Sequence, residues 1–101
     1  MKTPSKALLK YLSTQGEQLA ARTTWVDTIF PRMVARWGHI EAIERLVKDG
    51  HIQPGFRKCV EVGLPEATFE AAVLAFPNEF TKDAYVCSEF RLRIAREGIV
   101  L

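Results

Sequence analysis

The chain has 101 residues, of which 48% are hydrophobic and 26% are charged, and its formal net charge is +2. A chain of this length forms one domain and buries about two-thirds of its unfolded surface, so it can fold without disulfides or metals. No stretch approaches the ~20 apolar residues of a membrane span, and the first residues lead into an amphipathic segment instead of a signal peptide. These features predict one cytoplasmic domain over residues 1–101.

The charged residues do not indicate a dedicated nucleic-acid-binding surface. The 14 Lys and Arg residues and the 12 Asp and Glu residues are spread along the chain, whereas nucleic-acid-binding proteins usually concentrate basic residues on one face. The most basic stretch contains Arg91, Arg93 and Arg96. At helical spacing these side chains point in different directions, so we expect all three on the solvated surface.

The residues most suited to metal binding or catalysis are two histidines, His39 and His51, and two cysteines, Cys59 and Cys87. They include no closely spaced cysteine pair of the zinc-site type, and no nucleophile-elbow pattern surrounds Cys87. The 6 glycines occur singly, so no phosphate-binding loop is present. Both cysteines lie in apolar segments, which predicts buried thiols. The sequence thus predicts no metal, no cofactor and no enzymatic activity.

The first predicted helix begins with Thr3 as its cap and Pro4 in the first helical position. Its buried face contains Leu8, Leu9 and Leu12. We expect it to end near Ser13, before Gly16, with a short helix over residues 18–21. Trp25 lies directly before the next predicted helix, so we expect its side chain to cover the core. The alternative is that Trp25 is an exposed anchor for a binding partner.

Residues 28–50 are predicted to form a helical hairpin. In its first helix, apolar side chains recur at steps of three and four residues, at Ile29, Phe30, Met33, Val34 and Trp37. Gly38 interrupts the pattern, which resumes at Ile40, Ile43, Leu46 and Val47. We expect Gly50 to end the second helix in a left-handed conformation.

The second helix of this hairpin resembles a known family. Residues 38–50, GHIEAIERLVKDG, are similar to the second helix of an ankyrin repeat, where a Gly-His turn opens a helix closed by a Leu-rich run and a glycine. Residues 33–36 match the small apolar positions of the first helix, whereas residues 29–32 read Ile-Phe-Pro-Arg in place of Thr-Pro-Leu-His. A fainter copy lies at residues 9–16, where Leu9 begins the match and Gly16 ends it, and no third copy follows.

The resemblance implies a binding role. Ankyrin repeats bind protein partners on the concave side formed by turn segments and first helices, which corresponds here to Arg32, Arg36 and Trp25. The principal prediction is therefore a non-enzymatic interaction protein that binds a protein partner through an exposed helical face.

The second half of the chain begins with a predicted turn over residues 51–55. Residues 56–62 fit either a short helix closed by Gly63 or an alternating strand, and we favour the helix because no partner strand is evident. A further helix is predicted over residues 64–76 because apolar side chains recur at Phe69, Ala72, Val73 and Phe76. Thr81 is predicted to cap a last, longer helix.

These elements predict an all-α fold, a small single domain of stacked short helices and helical hairpins. The alternative is a winged helix-turn-helix domain in which residues 56–62 form a small β-wing. That protein would be a DNA-binding regulator, and the cations expected to contact phosphates are Arg45, Lys48, Arg57 and Lys58.

The last predicted helix has apolar residues on two sides. We expect one side to face the core, with Cys87, Phe90 and Ile94. The other side, with Tyr85, Ser88, Leu92 and Ala95, is then free to bind a second copy, so a homodimer through Tyr85 and Leu92 is predicted. The alternatives are that the helix lies centrally or that residues 90–94 form a strand.

Overall fold

The computed structural model describes residues 2–98 as a bundle of helices. The α-helices in this range are α1 (Lys6–Arg22), α2 (Phe30–Lys48), α3 (Pro54–Glu61), α4 (Phe69–Ala75) and α5 (Lys82–Arg96). Two single-turn 3₁₀ helices, Pro65–Ala67 and Pro77–Glu79, lie before and after α4. Because residues 2–98 contain no strand, the predicted all-α fold and the favoured helix at residues 56–62 are confirmed, and the alternatives of a β-wing at residues 56–62 and a strand at residues 90–94 are wrong.

The core lies between α2, α4 and α5, with α1 packed against the start of α4. Its buried side chains are Leu8, Ile40, Ile43, Val47, Ala72, Val73, Phe80 and Ala84. The helical spacing of Ile40, Ile43 and Val47 places them on one side of α2, as predicted. Each fully buried aliphatic side chain of this kind stabilises the fold by about 1.5–3 kcal/mol relative to leaving it exposed. None of the described helices is long and apolar enough to cross a membrane.

Two helical segments meet within α2 at Gly38. The backbone of Gly38 has φ 81° and ψ 169°, a conformation that strains any residue with a side chain. The predicted break at this glycine is therefore confirmed. The predicted left-handed cap at Gly50 is wrong, since α2 ends at Lys48, the next residue, Asp49, is extended with φ −62° and ψ 138°, and Gly50 does not have a positive φ. Arg91 of α5 instead supplies hydrogen-bond donors at the end of α2, where it donates to the carbonyls of Leu46 and Asp49.

α1 is one continuous helix of 17 residues. Its predicted start at Thr3 and its predicted end near Ser13 are both wrong. Ser5 is the cap, with its Oγ accepting a hydrogen bond from the Leu8 N–H at 3.0 Å, and Gly16 lies inside the helix. A glycine in a helix interior costs about 1 kcal/mol relative to alanine. α1 packs on the 65–67 turn and on α4.

The connection from α3 to α4 is closed by a glycine, as predicted. Gly63 has φ 75°, and the N–H of Leu64 donates to the carbonyl of Cys59 at 2.8 Å, which is the bond pattern of a Schellman motif. The next helix starts later than predicted because residues 65–67 form a separate 3₁₀ turn. Thr68 then caps α4 through its side-chain oxygen.

α5 begins as predicted, with Thr81 Oγ1 accepting the N–H of Ala84 at 3.2 Å. Its predicted buried side is wrong, since the buried residues are Ala84, Ser88, Arg91 and Leu92. Phe90 is 51% exposed, whereas Leu92 is only 7% exposed. Leu92 is therefore a core residue and is not accessible for the predicted pairing with a second copy, although Tyr85 is exposed.

Candidate functional site

An apolar cavity of about 340 Å³ lies between α1, the segment that precedes α2, α3 and the start of α4. Side chains from α1, from residues 25–30, from the start of α3 and from residues 67–70 line it. Val26 and Ile29 are 72% and 55% exposed, so the cavity opens to solvent along that segment. We call this feature the apolar groove.

The α1 wall of the groove consists of Tyr11, Leu12, Gln15 and Leu19. Their spacing places them on one side of the helix. The hydroxyl of Tyr11 donates to the carbonyl of Glu66 at 2.7 Å, and burial, with a smaller contribution from the Glu66 charge, raises the pKa of this phenol. The Oε1 atom of Gln15 is buried and has no hydrogen-bond partner within residues 2–98. This wall is thus apolar apart from one unengaged acceptor.

The mouth of the groove is built around Trp25. A Cβ atom at position 55 would lie 3.1 Å from Cη2 of Trp25, so glycine at that position lets the indole rest on the first turn of α3. The carboxylate of Asp27 accepts hydrogen bonds from the N–H groups of Ile29 and Phe30, both at 2.9 Å. These contacts fix the segment that carries the exposed apolar side chains of the mouth.

The floor of the groove is aromatic, with one thiol. The rings of Phe30 and Phe69 lie 4.3 Å apart between centroids, and Phe56 is buried beside them. Burial, and secondarily the Glu70 charge, raises the pKa of Cys59 to about 11. The Cys59 thiol is therefore protonated at neutral pH and is a poor nucleophile.

Behind the floor lies a buried charged cluster. The Arg91 Nη1 atom donates to Glu70 Oε2 and to the carbonyl of Leu46, both at 3.1 Å, and Nη2 donates to the carbonyl of Asp49. Burial raises the pKa of Glu70, and hydrogen bonds, including that from Arg91, oppose only part of the rise. The cluster joins α4, α5 and the end of α2, so it holds the floor of the groove in place.

These properties suit the groove to hold apolar groups. Its thiol is protonated, and its buried carboxylate is engaged by a guanidinium. Across residues 2–98, no three His, Cys, Asp or Glu side chains come together as a metal site requires.

The structure does not bring the three predicted partner-binding residues together. Trp25 is half-buried and lines the groove, whereas Arg32 and Arg36 are exposed on the first segment of α2, outside the groove. The Arg36 guanidinium lies 5.0 Å from the ring centroid of Trp37. Trp37 and Arg36 instead line a second, more polar depression that includes Lys2.

The predicted nucleic-acid-binding residues lie on α2 and α3. Three of the four cations are paired with acidic side chains: Arg45 with Glu41 at 3.6 Å, Lys48 with Glu44 at 3.2 Å and Lys58 with Glu61 at 3.2 Å. Arg57 is exposed. Since residues 56–62 form no β-wing, these cations do not belong to the winged helix-turn-helix fold that the alternative prediction requires.

The groove could not be predicted from the sequence. Its walls come from α1, from residues 25–30 and from segments between residues 53 and 70, about half the chain from α1, and no local pattern pairs them. One signal was available, because the helical spacing of Tyr11, Leu12, Gln15 and Leu19 continues across Gly16 and so indicates one long helix.

Comparison with protein-family models, with curated proteins and with solved structures finds no match to this chain. The likeness of residues 38–50 to an ankyrin repeat therefore stays a resemblance in the sequence, and the functional argument rests on the groove.

Proposed function

We propose that this is a non-enzymatic interaction protein that binds an amphipathic helical segment of a protein partner in the apolar groove. The observation that carries the proposal is the exposure of Val26 and Ile29, at 72% and 55%, beside a cavity whose other walls are apolar. Exposed apolar side chains that continue an apolar cavity are typical of a surface that another molecule covers.

The dimensions of the groove favour a protein segment as the occupant. Its volume of about 340 Å³ lies at the small end of ligand pockets. The wall from Tyr11 to Leu19 spans two helical turns, or about 12 Å. A partner helix would place one or two apolar side chains in the cavity and lay its neighbouring apolar residues on Val26 and Ile29, which is the helix-in-groove mode of recognition.

The chemistry of the groove supports binding without catalysis. A thiol with a pKa of about 11 and a carboxylate held by Arg91 offer no activated nucleophile or base. We further propose a cytoplasmic location, which the free Cys59 and Cys87 support because reduced thiols are typical of that compartment.

The proposal can be tested with short peptides displayed on phage and selected on the immobilised protein. We expect the selected peptides to carry apolar residues at positions i, i+3, i+4 and i+7. In calorimetric titrations with a selected peptide, Ile29→Lys should weaken binding at least about tenfold, because it places a charge at the mouth of the groove. Ile29 is exposed, so this variant should fold normally.

Val86→Lys is the matched control, because Val86 is an aliphatic residue with the same 55% exposure on α5, outside the groove. It should leave peptide affinity unchanged. Peptides that bind Ile29→Lys as tightly as the wild type would contradict the proposal. If selection yields no peptide but an apolar small molecule binds and is lost with Ile29→Lys, the occupant is a small molecule and the assignment of a protein partner is wrong.

A further inference from the structure

The charged residues that line the apolar groove are all acidic. They are Asp27 at the mouth and Glu70 behind the floor, and no Lys, Arg or His side chain of residues 2–98 lines the groove. Glu66, an exposed residue of the 65–67 turn, lies next to the α1 wall, because its carbonyl accepts the Tyr11 hydroxyl at 2.7 Å. The groove therefore faces carboxylates, although the chain as a whole carries a formal net charge of +2.

The Cys59 thiol senses the sign of the charge around the floor. Burial is the largest cause of its raised pKa, and the charges that add to the rise are the carboxylates of Glu70, Asp27 and Glu66. The Glu66 charge also adds to the rise that burial causes in the pKa of Tyr11. A group placed in the groove therefore meets a negative potential, which favours a cation over an anion.

The protein neutralises only one of these three carboxylates. Glu70 is held by Arg91 at 3.1 Å. Asp27 and Glu66 form no ion pair within residues 2–98. Oδ1 of Asp27 accepts two backbone N–H groups, whereas its Oδ2 has no hydrogen-bond partner in the same range. Two carboxylates beside the groove are thus free to pair with a bound molecule.

The cations of the neighbouring helices do not supply the missing partner. Arg22, at the end of α1, donates to the carbonyl of Val62 at 3.3 Å. Lys58 of α3 pairs with Glu61 at 3.2 Å, and Arg57 is exposed outside the groove. None of these cations pairs with either free carboxylate, so a cation must come from the partner.

We propose that the partner segment is a basic amphipathic helix, whose Lys or Arg side chains pair with Asp27 and Glu66 when its apolar side enters the groove. This inference rests on the proposed function. Val26 and Ile29 lie on either side of Asp27 in the chain, so a helix that covers them also covers this carboxylate. An apolar or acidic helix would remove water from the carboxylate without replacing it, which is unfavourable. A cation on the partner offsets that loss.

Phage selection on the wild type and on Asp27→Asn/Glu66→Gln gives two separate readouts. Apolar residues at positions i, i+3, i+4 and i+7 test the groove, and an excess of Lys and Arg over Asp and Glu at the positions beside them tests the charge. We expect both in peptides selected on the wild type and only the apolar spacing in peptides selected on the double variant. Asn at position 27 keeps the oxygen that accepts the two N–H groups, and circular dichroism with thermal melting establishes that the variant is folded.

Two synthetic helical peptides of about 18 residues measure the size of the effect. Both carry Leu at the apolar positions, with Lys between them in one peptide and Glu in the other. In calorimetry at low salt, the Lys peptide should bind about tenfold or more tightly than the Glu peptide. Asp27→Asn and Glu66→Gln should each weaken binding of the Lys peptide about threefold, and together about tenfold. The advantage of the Lys peptide should shrink as the ionic strength rises.

Asp83→Asn and Glu97→Gln are the matched controls. They remove the same charges at exposed positions in and just after α5, which contributes no residue to the groove. Both should leave the affinity for the Lys peptide unchanged. Controls that weaken it as much as Asp27→Asn would show that the attraction comes from the charge of the whole chain, which would overturn the inference.

Two further results separate this inference from the proposed function. Selected peptides that keep the apolar spacing without an excess of basic residues, or equal binding of the Lys and Glu peptides, would overturn the basic partner and leave the groove as the binding site. A selection that yields no peptide on either protein would contradict the groove as a protein-binding site and this inference with it.

Discussion

Arg91 and Glu70 form an ion pair with an Nη1–Oε2 distance of 3.1 Å, and their side chains are only 9% and 4% exposed. The guanidinium also donates to two carbonyls at the end of α2. Arg91 therefore neutralises the buried carboxylate and completes the hydrogen bonding of a helix end at the same time.

Replacing Arg91 should be one of the most destabilising single changes in the chain. Arg91→Met leaves the Glu70 carboxylate buried without a partner, and we expect it to lower the free energy of unfolding by about 3–5 kcal/mol. Urea denaturation followed by circular dichroism measures this difference. Arg91→Met/Glu70→Met should recover most of the loss, although the α2 carbonyls still lack a donor. A double variant no more stable than Arg91→Met would show that the uncompensated carboxylate is not the cause.

Glu44 should contribute to stability at neutral pH and lose that contribution in acid. Burial alone would raise its pKa, but hydrogen bonds from the Thr81 N–H and Oγ1 and from Lys48 outweigh burial, so the pKa falls below its ordinary value of 4.5. A carboxylate with a lowered folded-state pKa stabilises the fold above its unfolded-state pKa and loses this effect as the pH falls through the folded-state value. Glu44→Gln should therefore flatten the fall in unfolding free energy between about pH 5 and pH 3.

The raised pKa of Glu70 acts with the opposite sign. The stability that protonated Glu70 contributes is present below its unfolded-state pKa and is lost as the pH rises through the raised folded-state pKa. Glu70 is present in both the wild type and Glu44→Gln, so the difference between their pH profiles isolates Glu44. Parallel profiles would contradict the assigned role of Glu44.

Two variants distinguish the groove from the cationic surface predicted by the ankyrin resemblance. If the partner binds in the groove, Trp25→Ala should weaken the binding of a selected peptide by about 2 kcal/mol, as measured by calorimetry. The reason is that Trp25 forms the mouth of the groove. The double reversal Arg32→Glu/Arg36→Glu should leave that affinity unchanged at moderate salt. Trp37→Ala is the matched aromatic control outside the groove. If the double reversal weakens binding and Trp25→Ala does not, the binding surface includes Arg32 and Arg36 instead of the groove.

The two free cysteines should differ in reactivity. Cys59 is buried and its pKa is about 11, whereas Cys87 is partly exposed. With an aromatic disulfide reagent at neutral pH, we expect one thiol to react rapidly and the other to react slowly, at the rate of local unfolding. Cys87→Ser should abolish the rapid phase. A rapid phase that persists in this variant would show that Cys59 is accessible in the folded protein.

Local chemistry explains which elements could be predicted. Thr81 as a cap and Gly63 as a helix end depend on bonds between residues a few positions apart, so the sequence around each is enough to identify it. The break at Gly38 is local in the same sense. Gly16 shows the limit of such reasoning, because the packing of α1 decides whether that glycine ends the helix or lies within it.

The orientation of α5 could not be predicted because both sides of the helix carry apolar residues at helical spacing. The deciding residue is Arg91, which a pattern of apolar positions assigns to solvent. Its partners are Glu70 and the carbonyls at the end of α2, and these come within reach only after the helices have packed. The groove escaped prediction for the same reason, since its walls meet only in the tertiary structure.

The position of Trp25 against Gly55 makes the groove optically observable. The chain has 2 tryptophans, and the other, Trp37, lies outside the groove with the Arg45 guanidinium 4.0 Å from its ring centroid. A Trp37→Phe protein would therefore carry a single tryptophan, which lies at the mouth. Filling the groove would remove water from that indole and shift its emission to shorter wavelength, so occupancy could be followed in solution without any attached label.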